Sequence, residues 1–441
     1  MSAVVCVDFG STFTKALLVD LDGGTVAAAA EHRTTIDTDV LDGYDACLAA
    51  LVEQDARAAD AETLACSSAG GGLRIAVVGN EELVTAEAGR RVALSSGGKV
   101  VAVFAASRGN DLAGIPASEP DVVLLTGGTD GGNPEPILAC ARALADVWSG
   151  PVVAAGNVDA QADVAEILVH HPLVLASNIV PRIGVLAPEG ARTAIRELFL
   201  SHVIGGKHLS SRADFVAMVQ GATPDVVLTG VELLAEVAGD TVVVDVGGAT
   251  TDVHSVVELD PEDAGLSREV VATSRVTRSV EGDLGMRWSA LTTAEAAGRD
   301  DLLEAARRRH DDVSFVPVDA VEQDLDEELA REAVGLALRR HAGRSKVVVS
   351  PEGRVVERSG KDLREVGLLV GSGGVLRHGR PGVAERVFAG SVGQVEGGWQ
   401  LPQHAQVTVD QQYVLAAAGL LAAPHPEVAR RLVGHLAADT S

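Results

Sequence analysis

Two octapeptides in this chain carry the residue types that grip phosphate. Asp8-Phe9-Gly10-Ser11-Thr12-Phe13-Thr14-Lys15 reads D-x-G-S-x-x-T-K. Asp245-Val246-Gly247-Gly248-Ala249-Thr250-Thr251-Asp252 reads D-x-G-G-x-x-T-D, starting 245 − 8 = 237 residues later. Glycines such as Gly10, Gly247 and Gly248 let backbone approach a ligand closely and turn freely. Backbone N–H groups can then meet phosphate oxygens. Ser11, Thr12, Thr250 and Thr251 add hydroxyl donors. Asp8 and Asp245 can hold Mg²⁺ through water, because that ion keeps much of its hydration shell. Lys15 can neutralise charge developing on a transferred phosphoryl group. Two such hairpins facing each other across a cleft would clamp the phosphates of a Mg-nucleotide. The plainer alternative, two ordinary Asp-Gly hairpins, fits either octapeptide alone better than it fits the pair.

Each octapeptide needs a strand before and after it. Val4–Asp8 and Lys15–Asp20 supply them for the first, with an Asp22-Gly23-Gly24 hairpin turn beyond. Thr241–Asp245 and Val253–Glu258 supply them for the second. A duplicated hairpin suggests two related lobes. Between them, short β-branched or leucine runs at Val100–Phe104, Val122–Leu125, Val152–Ala154 and Leu173–Ala176 alternate with helical stretches near 135–147 and 160–170. That alternation predicts βαβ units around a parallel sheet. Residues 190–238 read as mostly helical. Residues 324–342 read as a helix with acids first, cations last and Gly343 as its stop. Segment 300–323 is charged and weakly patterned, and reads as an exposed loop or lid. Lys346–Ser350 and Arg354–Arg358 read as a hairpin around Pro351-Glu352-Gly353. Leu368–Val370 is a strand leading into Gly371-Ser372-Gly373-Gly374, and 412–423 and 427–438 close the chain as helices.

Composition narrows the function classes. The chain has 441 residues, with 62 Asp+Glu against 36 Lys+Arg, a net charge of −26. That charge repels phosphate backbones at long range, and aromatics at 3% leave few base-stacking platforms. Nucleic acid is therefore not an expected partner. No run reaches the roughly 20 apolar residues of a membrane span. Cys6, Cys47, Cys66 and Cys140 match no zinc spacing, and no signal peptide is read at the start, so reduced thiols and a cytoplasmic location are expected. Glycine is in excess, 48 residues, and much of it sits in loops.

The first octapeptide, the second, and the late Leu-Leu-Val-Gly-Ser-Gly-Gly strand-turn, in this order, resemble the phosphate-1, phosphate-2 and adenosine motifs of the actin-like ATPase superfamily. The resemblance implies an α/β protein of two ribonuclease-H-like lobes with ATP and Mg²⁺ between them. The first lobe is expected over 1–239, with an inserted α/β unit about 98–190. The second is expected over 240–411, with helices of 412–441 returning to the first. Asp8, Gly10, Ser11, Thr12 and Lys15 would serve phosphate-1. Asp245, Gly247, Gly248, Thr250, Thr251 and Asp252 would serve phosphate-2. Gly371, Ser372, Gly373 and Gly374 would lie against the adenosine. Glu232 sits roughly where the superfamily places a water-orienting group, with Asp252 a second candidate for that role.

Narrower signatures are Cys66-Ser67-Ser68-Ala69-Gly70-Gly71-Gly72-Leu73-Arg74, Leu124-Leu125-Thr126-Gly127-Gly128-Thr129-Asp130-Gly131-Gly132, Asn178-Ile179-Val180-Pro181 and Thr250-Thr251-Asp252-Val253. Together they resemble the glutamate mutase accessory proteins, MutL or GlmL, unrelated to mismatch repair. That resemblance implies a chaperone-like, weak ATPase that supports or reactivates an adenosylcobalamin-dependent carbon-skeleton mutase. A small-molecule kinase of the same fold and a non-hydrolysing nucleotide sensor are the alternatives. Self-association into a homo-oligomer stays open. An iron–sulfur activator would need cluster-ligating cysteines, and the four here offer no such arrangement. The Gly127–Gly132 loop matches neither a dinucleotide fingerprint nor a P-loop. It is a tight βα connection, or else a second anion site or partner contact. Cys66 reads as a small buried residue rather than a nucleophile.

Overall fold

The computed structural model describes residues 2–106, 112–258, 274–350, 353–394 and 396–438, with backbone alone for 347–350 and 353–359. The chain divides into two units. One holds the described residues up to Gly230 together with Ala416–Ala429, and the other holds those from Val231 to Leu415 and from Arg430 onward.

The first unit contains ten strands: β1 Ala3–Phe9, β2 Phe13–Asp20, β3 Thr25–Arg33, β4 Glu62–Ser67, β5 Leu73–Gly79, β6 Gly98–Ala105, β7 Val122–Leu125, β8 Val152–Ala154, β9 Leu173–Leu175 and β10 Val219–Ala222. They form two sheets. One has the order β3-β2-β1-β4-β10. Its first three strands are an antiparallel meander, and β4 and β10 lie parallel on the other side. The other, β6-β5-β7-β8-β9, is wholly parallel.

The parallel sheet is buried on both faces. Ile75, Val77, Val122 and Leu124 join the core that also contains Val5, Val7 and Phe9. Ala76, Val78, Val123 and Leu125 face a second core with Ile137, Cys140 and Leu144 of the helix Glu135–Val147. Two covered faces explain why β7 and β8 are unbroken apolar runs rather than alternating ones.

The second unit adds β11 Thr241–Val246, β12 Thr251–Val256, β13 Val276–Glu281, β14 Arg344–Ser350, β15 Gly353–Ser359, β16 Leu368–Ser372 and β17 Gln406–Val409. Its main sheet has the order β13-β12-β11-β16-β17, again an antiparallel meander with two parallel strands beyond the first. Numbered within each sheet, both main sheets read 3-2-1-4-5, the ribonuclease-H-like order. The fold is therefore α/β, of the actin-like ATPase class, with a parallel sheet inserted in its first half. Among the described residues no helix is long and apolar enough to cross a membrane.

Two expectations change. Segment 300–323 contains the helix Leu303–Asp311. Its weak pattern hides ion pairs: Arg309 is fully buried and binds Asp326, with Glu322 at 3.0 Å, while Phe315 lies under its guanidinium. A charged residue that packs inward defeats hydrophobic periodicity. The following helix runs Ala320–His341, starting four residues early because Asp319 caps it by accepting from Glu322 N at 2.9 Å. In addition, 190–238 includes the short strand β10. The hairpin of β14 and β15 forms, but its turn at Pro351-Glu352 lies outside the described residues.

A buried polar knot fixes the second unit. His341 is flanked by the Ser255 hydroxyl at 2.7 Å and the Ser279 hydroxyl at 2.8 Å. Burial pushes its imidazole down to about 3, helped by the positive charge of Lys361. The unfolded chain, with His near 6.5, then binds the extra proton below that pH, so stability is lost as pH falls from about 6.5 toward 3. We expect His341 alone to cost about 1.6 kcal/mol between pH 6.5 and 5, since the slope reaches its full ~1.36 kcal/mol per pH unit only well below 6.5. Urea unfolding at the two pH values checks this, and His341→Gln should flatten the slope.

Candidate functional site

The first hairpin places its charged residues by register. Asp8 and Lys15 are directly opposed cross-strand partners on β1 and β2. Lys15 Nζ lies 3.8 Å from Asp8 Oδ2. Asp8 is only 4% exposed, and its Oδ1 accepts from the Thr223 hydroxyl at 2.6 Å and the Cys66 thiol at 3.6 Å. Burial pushes the Cys66 thiol well up, and the Asp8 charge adds to that shift. Cys66 is therefore a neutral donor, not a thiolate.

The turn is closed by Gly10 N donating to Phe13 O at 3.2 Å, and a Cβ on Gly10 would meet that oxygen at 2.6 Å. Thr34 ties the loop's carbonyls inward: its hydroxyl donates to Gly10 O at 2.7 Å and its N–H to Thr12 O at 2.9 Å. Ser11 and Thr12 face solvent.

The second hairpin repeats this construction. Gly247 N donates to Thr250 O at 2.9 Å, the same turn closure 237 residues on (247 − 10 = 237). A strap from Leu284 to Ser289 holds its carbonyls: Met286 N donates to Gly247 O at 3.0 Å, Arg287 N to Gly248 O at 2.8 Å and the Ser289 hydroxyl to Ala249 O at 2.6 Å. Gly285 packs so close that a Cβ would fall 2.8 Å from Ala249. The carbonyls of Gly10, Thr12, Gly247, Gly248 and Ala249 are thus held by donors of the protein. Among the described residues none accepts from the N–H groups of Ser11, Thr12, Gly248 or Ala249. Unused amides on a glycine turn fit a phosphate.

The two hairpins differ in charge at the position opposite the first aspartate. Asp245 is opposed by Asp252, where Asp8 is opposed by Lys15. Arg278 binds Asp252 Oδ2 at 3.1 Å, and Asp252 Oδ1 is buried with no hydrogen-bond partner among the described residues. Two facing carboxylates with an orphaned oxygen fit a hydrated divalent cation. Among the described residues no cluster of three or more His, Cys, Asp or Glu side chains could hold a metal directly. Thr251 is buried and its hydroxyl donates to Leu284 O at 3.1 Å, while Thr250 stays half-buried on the loop.

The third motif lies beside the second. Ser372 pairs with Asp245 and Gly371 with Val244 across β16 and β11. Gly373 has φ +106°, and a Cβ there would sit 2.2 Å from Val246 O, so only glycine fits. Gly374 starts the short helix that follows. Glu232 lies half-buried on the helix Thr223–Ala238.

Sequence reading missed Thr223, Thr34, Arg278 and the 284–289 strap. Thr34 follows β3 directly and carried a faint signal. Thr223 and Arg278 carried none, because their partners lie 215 and 26 residues away.

A family model described as MutL protein matches residues 4–436. The chain is 35% identical over 457 residues to Protein MutL of Clostridium tetanomorphum, covering 98% of both. Among solved structures, it is similar to the activator of the 2-hydroxyisocaproyl-CoA dehydratase from Clostridium difficile with bound ADPNP. The identity is 10%, the coverage 99% of this chain and 96% of that one, and the TM-score 0.31. The ligand-bound xylulose kinase from Lactobacillus acidophilus matches at 11% identity, covering 100% and 90%, with a TM-score of 0.32.

Proposed function

The chain belongs to the MutL protein family, and from that premise we propose that it is a Mg²⁺-dependent, ATP-hydrolysing accessory protein for an adenosylcobalamin-dependent carbon-skeleton mutase. The observation that supports it most is the repeated hairpin: one turn closure, one inward set of carbonyls and one outward set of amides, built twice. Each hairpin presents amides suited to phosphate oxygens.

In this reading the amides of Ser11, Thr12, Gly248 and Ala249 bind phosphate oxygens. Lys15 meets charge developing on the γ-phosphoryl group. Asp8 and Asp245 orient the water shell of Mg²⁺, with Asp252 adjoining. The ion, when bound, supplies charge neutralisation to the phosphates. Water attacks the γ-phosphorus, the bond to the ADP oxygen breaks, and a carboxylate, Glu232 or Asp252, takes the water's proton. Gly371, Ser372, Gly373 and Gly374 receive the adenosine. The carboxylate and amide machinery needs no net positive charge, so an acidic chain can bind ATP.

A phosphate-release assay tests the proposal. Slow basal release that rises on adding a mutase, and not on adding sugars, carboxylates or hydroxy acids, is expected. ADP formed on adding a small metabolite without matching release of free phosphate would instead identify a kinase, because the phosphoryl group would then reside on the metabolite.

A further inference from the structure

The inserted parallel sheet has a property the ATP reading does not use. In chain order its strands are β5 to β9, and in space they run β6-β5-β7-β8-β9, which is 2-1-3-4-5 within the sheet. The chain goes to one side of β5 and then returns to the other. In open parallel α/β sheets, ligands bind outside the carboxyl ends of the strands where the order reverses. Here that point lies between the loops after β5 and β7. The loop after β7 is Thr126-Gly127-Gly128-Thr129-Asp130-Gly131-Gly132.

This loop is held by buried polar side chains. Asn178 Nδ2 donates to Gly128 O at 3.0 Å and to Asp130 Oδ1 at 2.8 Å, and Asn157 Nδ2 donates to Gly132 O at 3.2 Å. Asn178 is 3% exposed and Asn157 1%. Asp130 N donates to Pro181 O, Gly131 N to Asp159 Oδ2 and Gly132 N to Thr129 O. The Thr126 hydroxyl reaches the loop after β5, donating to Thr85 O at 3.0 Å.

Against this accounting, three successive N–H groups stand out. Among the described residues none accepts from Gly127, Gly128 or Thr129. Gly127 is buried, so its amide has no ready access to water as a substitute. Gly127 has φ +154° and Gly128 +71°, backbone conformations that favour glycine. The carboxylates of Asp130 and Asp159 are spent on Asn178, Val158 N and Gly131 N. Apolar side chains stand exposed on other segments at the same sheet edge: Leu83, in the helical turn Glu82–Ala86 after β5, at 71%, and Ile183, after β9, at 80%.

We propose that the switch point of the inserted sheet is a second ligand site, taking a small molecule that joins a phosphoryl group to a flat or apolar body. The phosphoryl group meets the Gly127–Thr129 amides, and the body covers Leu83 and Ile183. β4 ends beside Asp8 and the chain then passes through 68–72 into β5. The parallel strands therefore point away from the phosphate-1 hairpin, which makes this site separate from that one.

Hydrogen exchange on the full chain, read peptide by peptide, tests this with inorganic pyrophosphate and flavin mononucleotide as probes. At ten times its dissociation constant, a probe should slow exchange in 126–134 about tenfold. Flavin mononucleotide should act at lower concentration than pyrophosphate. Thr129→Glu should abolish that protection without changing protection of 8–15 by ATP. Gly131→Ala, whose Cβ meets nothing within 4 Å, is a second variant that alters only the loop's left-handed backbone and should weaken the effect. Unchanged exchange in 126–134 with both probes, or equal protection in Thr129→Glu, would overturn the proposal. Failure of ATP to protect 8–15 would count against the ATP reading alone.

Discussion

Asp8→Asn is expected to lower ATP turnover by at least ~10²-fold while leaving the chain folded. The substitution keeps the size of the side chain and an oxygen to accept from the Thr223 hydroxyl. It removes the charge that we propose orients hydrated Mg²⁺, and that faces Lys15 at 3.8 Å. Lys15 would then face a neutral amide, so its position would loosen as well. The change belongs in turnover more than in ATP affinity, because the amides of Ser11 and Thr12 are untouched. Phosphate release, with circular dichroism as the control for folding, reads both. Turnover equal to that of the wild type would remove Asp8 from the machinery.

Asp245→Asn is expected to move stability and activity in opposite directions. Asp245 and Asp252 are directly opposed on β11 and β12. Like charges in that position destabilise a sheet by a few tenths to ~1 kcal/mol. Neutralising one should raise apo-protein stability by about 0.5 kcal/mol, since Arg278 still balances the other. The same change removes a carboxylate assigned to the Mg²⁺ shell, so turnover should fall by ~10²-fold or more. A purely structural Asp245 would not separate the two readouts. Added Mg²⁺ should stabilise the wild type in the presence of ATP and have little effect on the variant. Equal stabilisation of both would place the ion elsewhere.

Much of the framework was legible because it is local. β7 and β8 coincide with their apolar runs, and the helix Glu135–Val147 with its periodic stretch. The Asp8 to Lys15 spacing alone fixes which residues oppose each other once a tight turn is granted. The strand order was not readable in this way. β10 pairs in parallel with β4, far away in sequence, and β17 pairs with β16 across an intervening stretch of helices and loops, while both short runs carry little pattern of their own. The same holds for the site's supports. Thr223 reaches Asp8 because β10 delivers the start of a helix to the end of β1 and β4, which is a property of the sheet. The Leu303–Asp311 helix was hidden by Arg309, a charge that faces inward. The glycine loops announced themselves, but their carbonyl and amide orientation belongs to three dimensions.

The most direct test of the central claim is recovery of an inactivated adenosylcobalamin-dependent mutase in the presence of this chain. Recovery is expected with ATP and Mg²⁺, none with a non-hydrolysable ATP analogue, and none with Asp8→Asn. Recovery that is the same without nucleotide, or the same with Asp8→Asn as with the wild type, would contradict it.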